Sequence, residues 1–450
     1  MTTFTRTILV ALGFALATSA ADAQSTAPSD FWSALGDTTL VRLVRQTRLA
    51  NHEVQIASAR ASEARAERTS ASLDLLPAVT VRGGYTRQRL ASASFPGASS
   101  AFPDQNVWDG GLSLSWEMDV FGRLRHSFNA RGALADAADE DVRDVQVALT
   151  SQTAGAYLAL RGAQDRLAVA RGNAENQRRT LELTERRLEG GRGTRLDTER
   201  ARAQLSATLA VIPALESTIE LARQRLRVLT GAERTEELAL APCDSGLALP
   251  EIPAIDASDA VVQARPDVRS AERQLAARHA LVGAARAEYL PRLSLGGAAG
   301  YTGATARSLG DAGTPRYVIG PVVSWAALDL GHVRAGVNAA RAAEAQQRAR
   351  YEQTLALARE GLESAVVSYR KARERLRLLD AAAESSSRAA ELARLRYTEG
   401  GSDFLQVLDA ERTVLEREND RAVGRTEAES ALIGVYRALG GASMGVPATP

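Results

Sequence analysis

Ser115-Trp116-Glu117-Met118-Asp119-Val120-Phe121-Gly122-Arg123-Leu124-Arg125 returns as Ser324-Trp325-Ala326-Ala327-Leu328-Asp329-Leu330-Gly331-His332-Val333-Arg334, an offset of 324 − 115 = 209. The register then holds without a gap through Arg161/Arg370, Arg166/Arg375, Leu167/Leu376, Arg187/Arg396, Gly191/Gly400 and Leu196/Leu405 to Gly231/Gly440. An insertion in a packed helix would rotate every later side chain, so an unbroken register means two copies of one unit packed in equivalent ways. A shorter echo lies upstream at 290 − 76 = 214, where Leu76-Pro77 faces Leu290-Pro291 and Glu53-Val54 faces Asp267-Val268. Periods this long lie outside the solenoid range. The chain is a tandem duplication, and its function follows from what one unit builds.

Each unit reads as helix, two strands and more helix. Residues 38–75 lack Gly and Pro and predict one helix that Pro77 ends; 257–289 predict its counterpart. The period then changes to two, with strands at about 78–88, 111–120, 292–302 and 316–329. Val79, Val81 and Tyr85 alternate with Thr80, Arg82 and Thr86, and the other strands likewise set an apolar face against a polar one. Strands of about ten residues with aromatics at their ends fit a membrane barrel, and Tyr85, Trp116, Tyr301 and Trp325 are the expected interface anchors. A half-buried sheet in a soluble core is the alternative. Four strands cannot close a barrel, and an open sheet cannot stand in lipid with unpaired edges. If the strands span, several chains must contribute, and three chains of four would give twelve.

From 124 to 189 and from 333 to 399 there is no proline. Leu355, Ala358, Leu362, Ala365, Tyr369, Ala372 and Leu376 alternate spacings of three and four, as a left-handed coiled coil requires; subtracting 209 puts Leu149, Thr153, Ala156, Leu160, Ala163 and Leu167 on the matching face. Some 66 residues make a rod of about 100 Å. The rods turn at Gly191 and Gly193 and again at Gly400 and Gly401, and return as shorter helices at about 195–230 and 403–438. Stacking each short helix end to end with 38–75 or 257–289 beside one long helix leaves the Pro-rich 240–256 and both chain ends near mid-rod, as a mixed belt. The expected division is therefore 24–231 (first repeat, hairpin 122–231), 232–256 (linker), 257–440 (second repeat, hairpin 331–440) and a 441–450 tail.

Arg6, the apolar Ile8 to Ala17 and Ala21-Asp22-Ala23 read as a secretory signal over 1–23. Beyond it no run of eighteen apolar residues occurs, so no membrane-spanning helix is expected. Cys243 is the only cysteine and the four histidines are scattered, so the sequence offers no metal site, and it offers no cofactor fingerprint. Net charge of +1 argues against nucleic acid. No P-loop or nucleophile elbow is present, and no catalytic residue is expected.

Trp116 to Arg125, Ile212-Pro-Ala-Leu-Glu216, Arg265-Pro-Asp-Val-Arg-Ser-Ala-Glu-Arg273, Tyr289 to Leu295, Arg396-Tyr-Thr-Glu-Gly400 and Val407-Leu-Asp-Ala410 resemble the outer-membrane efflux (TolC-like) family, most closely its multidrug efflux outer-membrane factors. The resemblance implies a mainly α chain with a β-barrel portion: a homotrimer sharing a twelve-stranded barrel in outer-membrane lipid, with a helical tunnel in the periplasm. It implies a passive exit duct of a tripartite pump, docked on a periplasmic adaptor (membrane fusion protein) and an inner-membrane pump of RND type. Type I secretion, metal efflux or, in a different class, an exported coiled-coil stalk are the alternatives. Gln24 stands where many members of that branch carry an acylated cysteine, so no lipidation is expected. The resemblance also implies a periplasmic gate of Asp197, Leu405 and Asp409 supported by Tyr397 and Arg396. Rings of carboxylate favour cations and a narrow apolar ring closes a pore by dewetting. For Asp197 and Asp409 the bland reading is a helix-start acid favoured by the macrodipole.

Overall fold

The computed structural model describes residues 29–91, 102–234, 238, 240, 247–251 and 259–441. The signal at 1–23, Gln24, Cys243 and the tail beyond 441 lie outside them. The elements run α1 (Ser29–Ala34), α2 (Thr38–Ala50), α3 (His52–Leu73), β1 (Ala78–Gln88), β2 (Gln105–Met118), α4 (Arg123–Glu189), α5 (Arg195–Thr230), α6 (Asp259–Gln263), α7 (Pro266–Ala287), β3 (Arg292–Gly303), β4 (Pro315–Ser324), α8 (Leu330–Thr398) and α9 (Phe404–Ala438).

Two expected helices are broken. The first is interrupted at Asn51, whose side chain accepts from the Glu53 amide at 2.7 Å and donates to the Leu229 carbonyl at 2.7 Å. A cap to α3 and a tie to α5 together outweigh one more helical residue. The second is divided into α6 and α7, because Pro266 occupies the first turn of α7 and holds Arg265 extended (φ −66°, ψ 139°).

The four strands form one antiparallel sheet in the order β1-β2-β3-β4. β2 begins earlier than its sequence indicates, because Trp108 pairs with Tyr85 and Asn106 with Arg87. β4 ends sooner, at Ser324. Partners across the register share a face. One face carries Val79, Val81 and Tyr85, then Trp108, Leu112, Leu114 and Trp116, then Leu293, Leu295 and Tyr301, then Tyr317, Ile319 and Val323. The other carries Thr80 and Arg82, Asp109, Ser113 and Glu117, Ser294 and Thr302, and Arg316. β4 departs from strict alternation: Val318 and Val322 lie on this second face, opposite Ala298 and Ser294. β1 and β4 leave their outer edges unpaired within the chain.

The helices form a slab one helix thick. Toward the sheet the neighbours run α3, α4, α7, α8; toward the far tip they run α5, α4, α9, α8. α4, 67 residues long, is central throughout, and α8 is an edge throughout. Heptad residues Leu149, Thr153, Leu160, Ala163 and Leu167 of α4, and Ala358, Leu362 and Tyr369 of α8, are buried. At mid-length a belt covers the slab. Phe31 and Trp32 pack on Tyr436 at 4.7 and 4.6 Å between ring centroids, and Leu238 and Leu247 join the same core. Asp37 caps α2 and accepts from the buried Tyr157 hydroxyl at 2.6 Å. Glu429 of α9 accepts from the Leu247 amide at 3.1 Å. Burial pushes the Glu429 carboxyl up, against the opposing pull of Arg425 and that amide.

By length and composition α5 is apolar enough to cross a membrane, contrary to the sequence expectation of no such helix. It instead returns along α4 from the tip, at the other edge of the slab. Leu209, Val211, Leu221 and Val228 stand exposed along it.

Candidate functional site

The tip is built twice. Glu189 and Thr398 end the long helices, and Gly191 (φ 69°) and Gly400 (φ 79°) take the left-handed conformation that closes them. Equivalent bonds follow: Arg192 N donates to Arg187 O and Gly401 N to Arg396 O, each at 2.8 Å. Gly193 passes close to the end of α4, where a Cβ would lie 3.1 Å from Leu188 N. Gly401 makes its turn without a positive φ.

Between the two tips the copies differ. The Arg187 guanidinium lies 3.9 Å from the centre of the Tyr397 ring and donates to the Tyr397 carbonyl at 2.8 Å, so α4 caps the last turn of α8. Tyr397 is buried, 5.6 Å from Phe404, in a small core with Ala201 and Val407. Arg396, the repeat mate of Arg187, is exposed and makes no side-chain bond among the described residues. Sequence reading missed Arg187 as the partner of Tyr397. The repeat, which equates Arg187 with Arg396, was the signal that could have found it.

Asp197 starts α5 in a capping arrangement: its amide bonds the Thr194 hydroxyl at 3.2 Å and its carboxylate accepts from that hydroxyl at 2.6 Å. Leu405 and Asp409 lie one turn apart on the exposed face of α9, opposite buried Phe404 and Val407. Leu196, the repeat mate of Leu405, is equally exposed, so each chain offers two apolar side chains at this level rather than one.

Sequence reading also missed a polar seam between α4 and α9. Arg166 bonds Asn419 at 2.9 Å, Asn173 bonds Glu418 at 2.8 Å, and Thr180 bonds Glu411 at 2.9 Å. The α4 members recur every seven residues, one per two turns. Glu411 is buried and also accepts from Arg394 at 2.9 Å. The two hairpins thus meet through a line of hydrogen bonds between the apolar clusters at mid-length and at the tip.

The aromatics at the sheet form two levels. Tyr85 stacks near Trp108 (4.8 Å), and Tyr301 lies beside them at the end far from the helices. At the near end Trp116 donates to the Leu75 carbonyl and Trp325 to the Tyr289 carbonyl, each at 3.0 Å. These indoles lock each strand pair to the Leu-Pro turn that precedes it, a polar handle used the same way in both copies. The sheet thus has one apolar face, aromatic levels at both ends and a helical slab below it.

The model of the family described as "Outer membrane efflux protein" matches residues 43–232 and 257–441, once over each repeat. The chain belongs to that family. It is 29% identical to outer membrane protein OprJ of Pseudomonas aeruginosa, over 92% of this chain and 86% of that one. It is also 29% identical to nodulation protein T of Rhizobium leguminosarum bv. trifolii, over 85% and 81%. The solved outer-membrane channel OprN superposes with a TM-score of 0.84 at 39% identity, covering 92% of each chain. The chain is an outer-membrane efflux protein, its sheet standing in the membrane and its helical tunnel in the periplasm.

Proposed function

We propose that three copies close into one twelve-stranded barrel and a continuous helical tunnel, forming the passive exit duct of a tripartite pump. The observation that carries this is the pair of open sheet edges. β1 and β4 run in opposite directions, so β4 of one copy meets β1 of the next in the same antiparallel sense as every other pair. The lipid must cover the apolar face and water the polar one. The slab edges agree: Leu357, Val367, Leu378, Leu392 and Leu395 stand exposed along α8, and the apolar row of α5 stands at the opposite edge. A periplasmic adaptor at the tip and an RND-type inner-membrane pump complete the path; the duct needs no catalysis.

Within that assembly the tip is the gate. Leu405 and Leu196 supply apolar rings, Asp409 and Asp197 carboxylate rings, and the Arg187–Tyr397 contact holds the hairpins together. Purified protein in detergent should run as a trimer by light scattering and conduct in planar bilayers. A monomer that stays soluble without detergent and conducts nothing would overturn the reading in favour of a stalk. Asp409→Ala should raise the leak conductance or weaken block by multivalent cations from the tip side; no change in either returns Asp409 to a simple helix-start acid.

A further inference from the structure

The polar face of the sheet carries a charge imbalance that the duct reading does not use. At its base Glu117 pairs with Arg123 at 2.7 Å, and Glu288 pairs with Arg292. Near its outer end Asp109 accepts from Arg316 at 3.1 Å and from Thr302 at 2.7 Å. Arg82, in the middle of β1, is exposed and has no hydrogen-bond or ion-pair partner among the described residues. It is the uncompensated charge of that face.

The register places Arg82 and Arg316 on one row across the sheet, through Gly111 and Gly300. A Cβ at either glycine would run into the backbone of the other's strand, so the row has a bare floor between two guanidinium groups. No neighbouring side chain on that row covers either group. Resting on the trimeric duct, we propose that Arg82, assisted by Arg316, forms an anion-binding ring on the luminal wall of the barrel, which favours polyanionic solutes on their way out. Threefold repetition turns one free guanidinium into three, and a ring of arginine in a pore selects anions.

The test is block of single-channel current in planar bilayers at about 0.1 M salt, where the screening length is about 10 Å. Inositol hexakisphosphate is added on the barrel side. Arg82→Gln should raise the half-blocking concentration about tenfold, and Arg82→Lys, which keeps the charge, should preserve the block. Asp109→Asn, which frees Arg316, should lower it. An unchanged half-block in Arg82→Gln, or a shift of Asp109→Asn in the same direction as Arg82→Gln, overturns the ring and leaves the duct standing. Absence of any conductance in the unaltered protein overturns the duct and the ring together.

Discussion

The two long helices descend from one sequence unit yet live in different surroundings. α4 buries more than twice as many residues as α8. The sharpest contrast is at one repeat position: Leu158 of α4 is 1% exposed, and its mate Val367 of α8 is 58% exposed. Both are apolar, and the offset of 209 makes them equivalent positions. α4 has neighbours inside the chain on both sides and α8 on one side only, so the difference teaches where the missing neighbour belongs. In the trimer proposed above, the apolar side chains on that rim are where the next copy docks.

The largest expected effect breaks that comparison outright. Val367→Asp combined with Leu378→Asp should abolish the trimer, read by light scattering in detergent, because two carboxylates would be desolvated at the seam. A trimer that persists would mean that α8 faces lipid or water rather than a second chain. Leu158→Ala should cost about 2–5 kcal/mol through the cavity it leaves, seen as a lower thermal midpoint at any protein concentration. Val367→Ala should instead make the midpoint depend on protein concentration, since it weakens association. Equal behaviour of the two would erase the distinction between inner and rim helix.

At the tip the same contrast is tested by arginines. Arg187→Ala removes a stacked, hydrogen-bonded cap worth about 1–2 kcal/mol and should raise the leak conductance. Arg396→Ala should shift thermal stability by no more than about 0.5 kcal/mol. If Arg396→Ala leaks as much as Arg187→Ala, the two tips are equivalent once assembled.

The smallest effect concerns the belt. Burial raises the Glu429 carboxyl above its ordinary range. For an acid so shifted, the folded state holds the proton more tightly than the unfolded one. Its contribution is therefore present at acid pH, below the unfolded value, and is lost as pH rises through the raised value. Glu429→Gln keeps an acceptor for the Leu247 amide and should flatten the dependence of the thermal midpoint on pH above the ordinary glutamate range. A variant that tracks the parent at every pH would assign that dependence to other groups.

Much of this was legible because periodicity is written by burial. The long helices and the four strands announce themselves through rows such as Leu355 to Leu376 and Val79 to Tyr85, which serve one face at one period. What escaped the reading was set by contacts distant in sequence. Asn51 breaks a helix because Leu229 offers it a carbonyl, and Asp109 and Gly110 read as loop although Thr302 and Arg316 hold them in a strand. The exposed leucines of α5 imitate a membrane span because the slab edge and a lipid-facing helix make the same demand on composition. Arg187 was hidden differently: its partner lies 210 residues away, and only the equivalence of the two repeats hints that one arginine of the pair turns inward.

The indole clamps at Trp116 and Trp325 carry a mechanical implication. Each half of the chain owns one hairpin of strands bolted to its own helical arm by the same bond, so the half, rather than the whole, is the rigid part. In the proposed trimer, a movement at the far tip that displaces one arm against the other would be absorbed along the hydrogen-bonded line between them, leaving the ring in the membrane round.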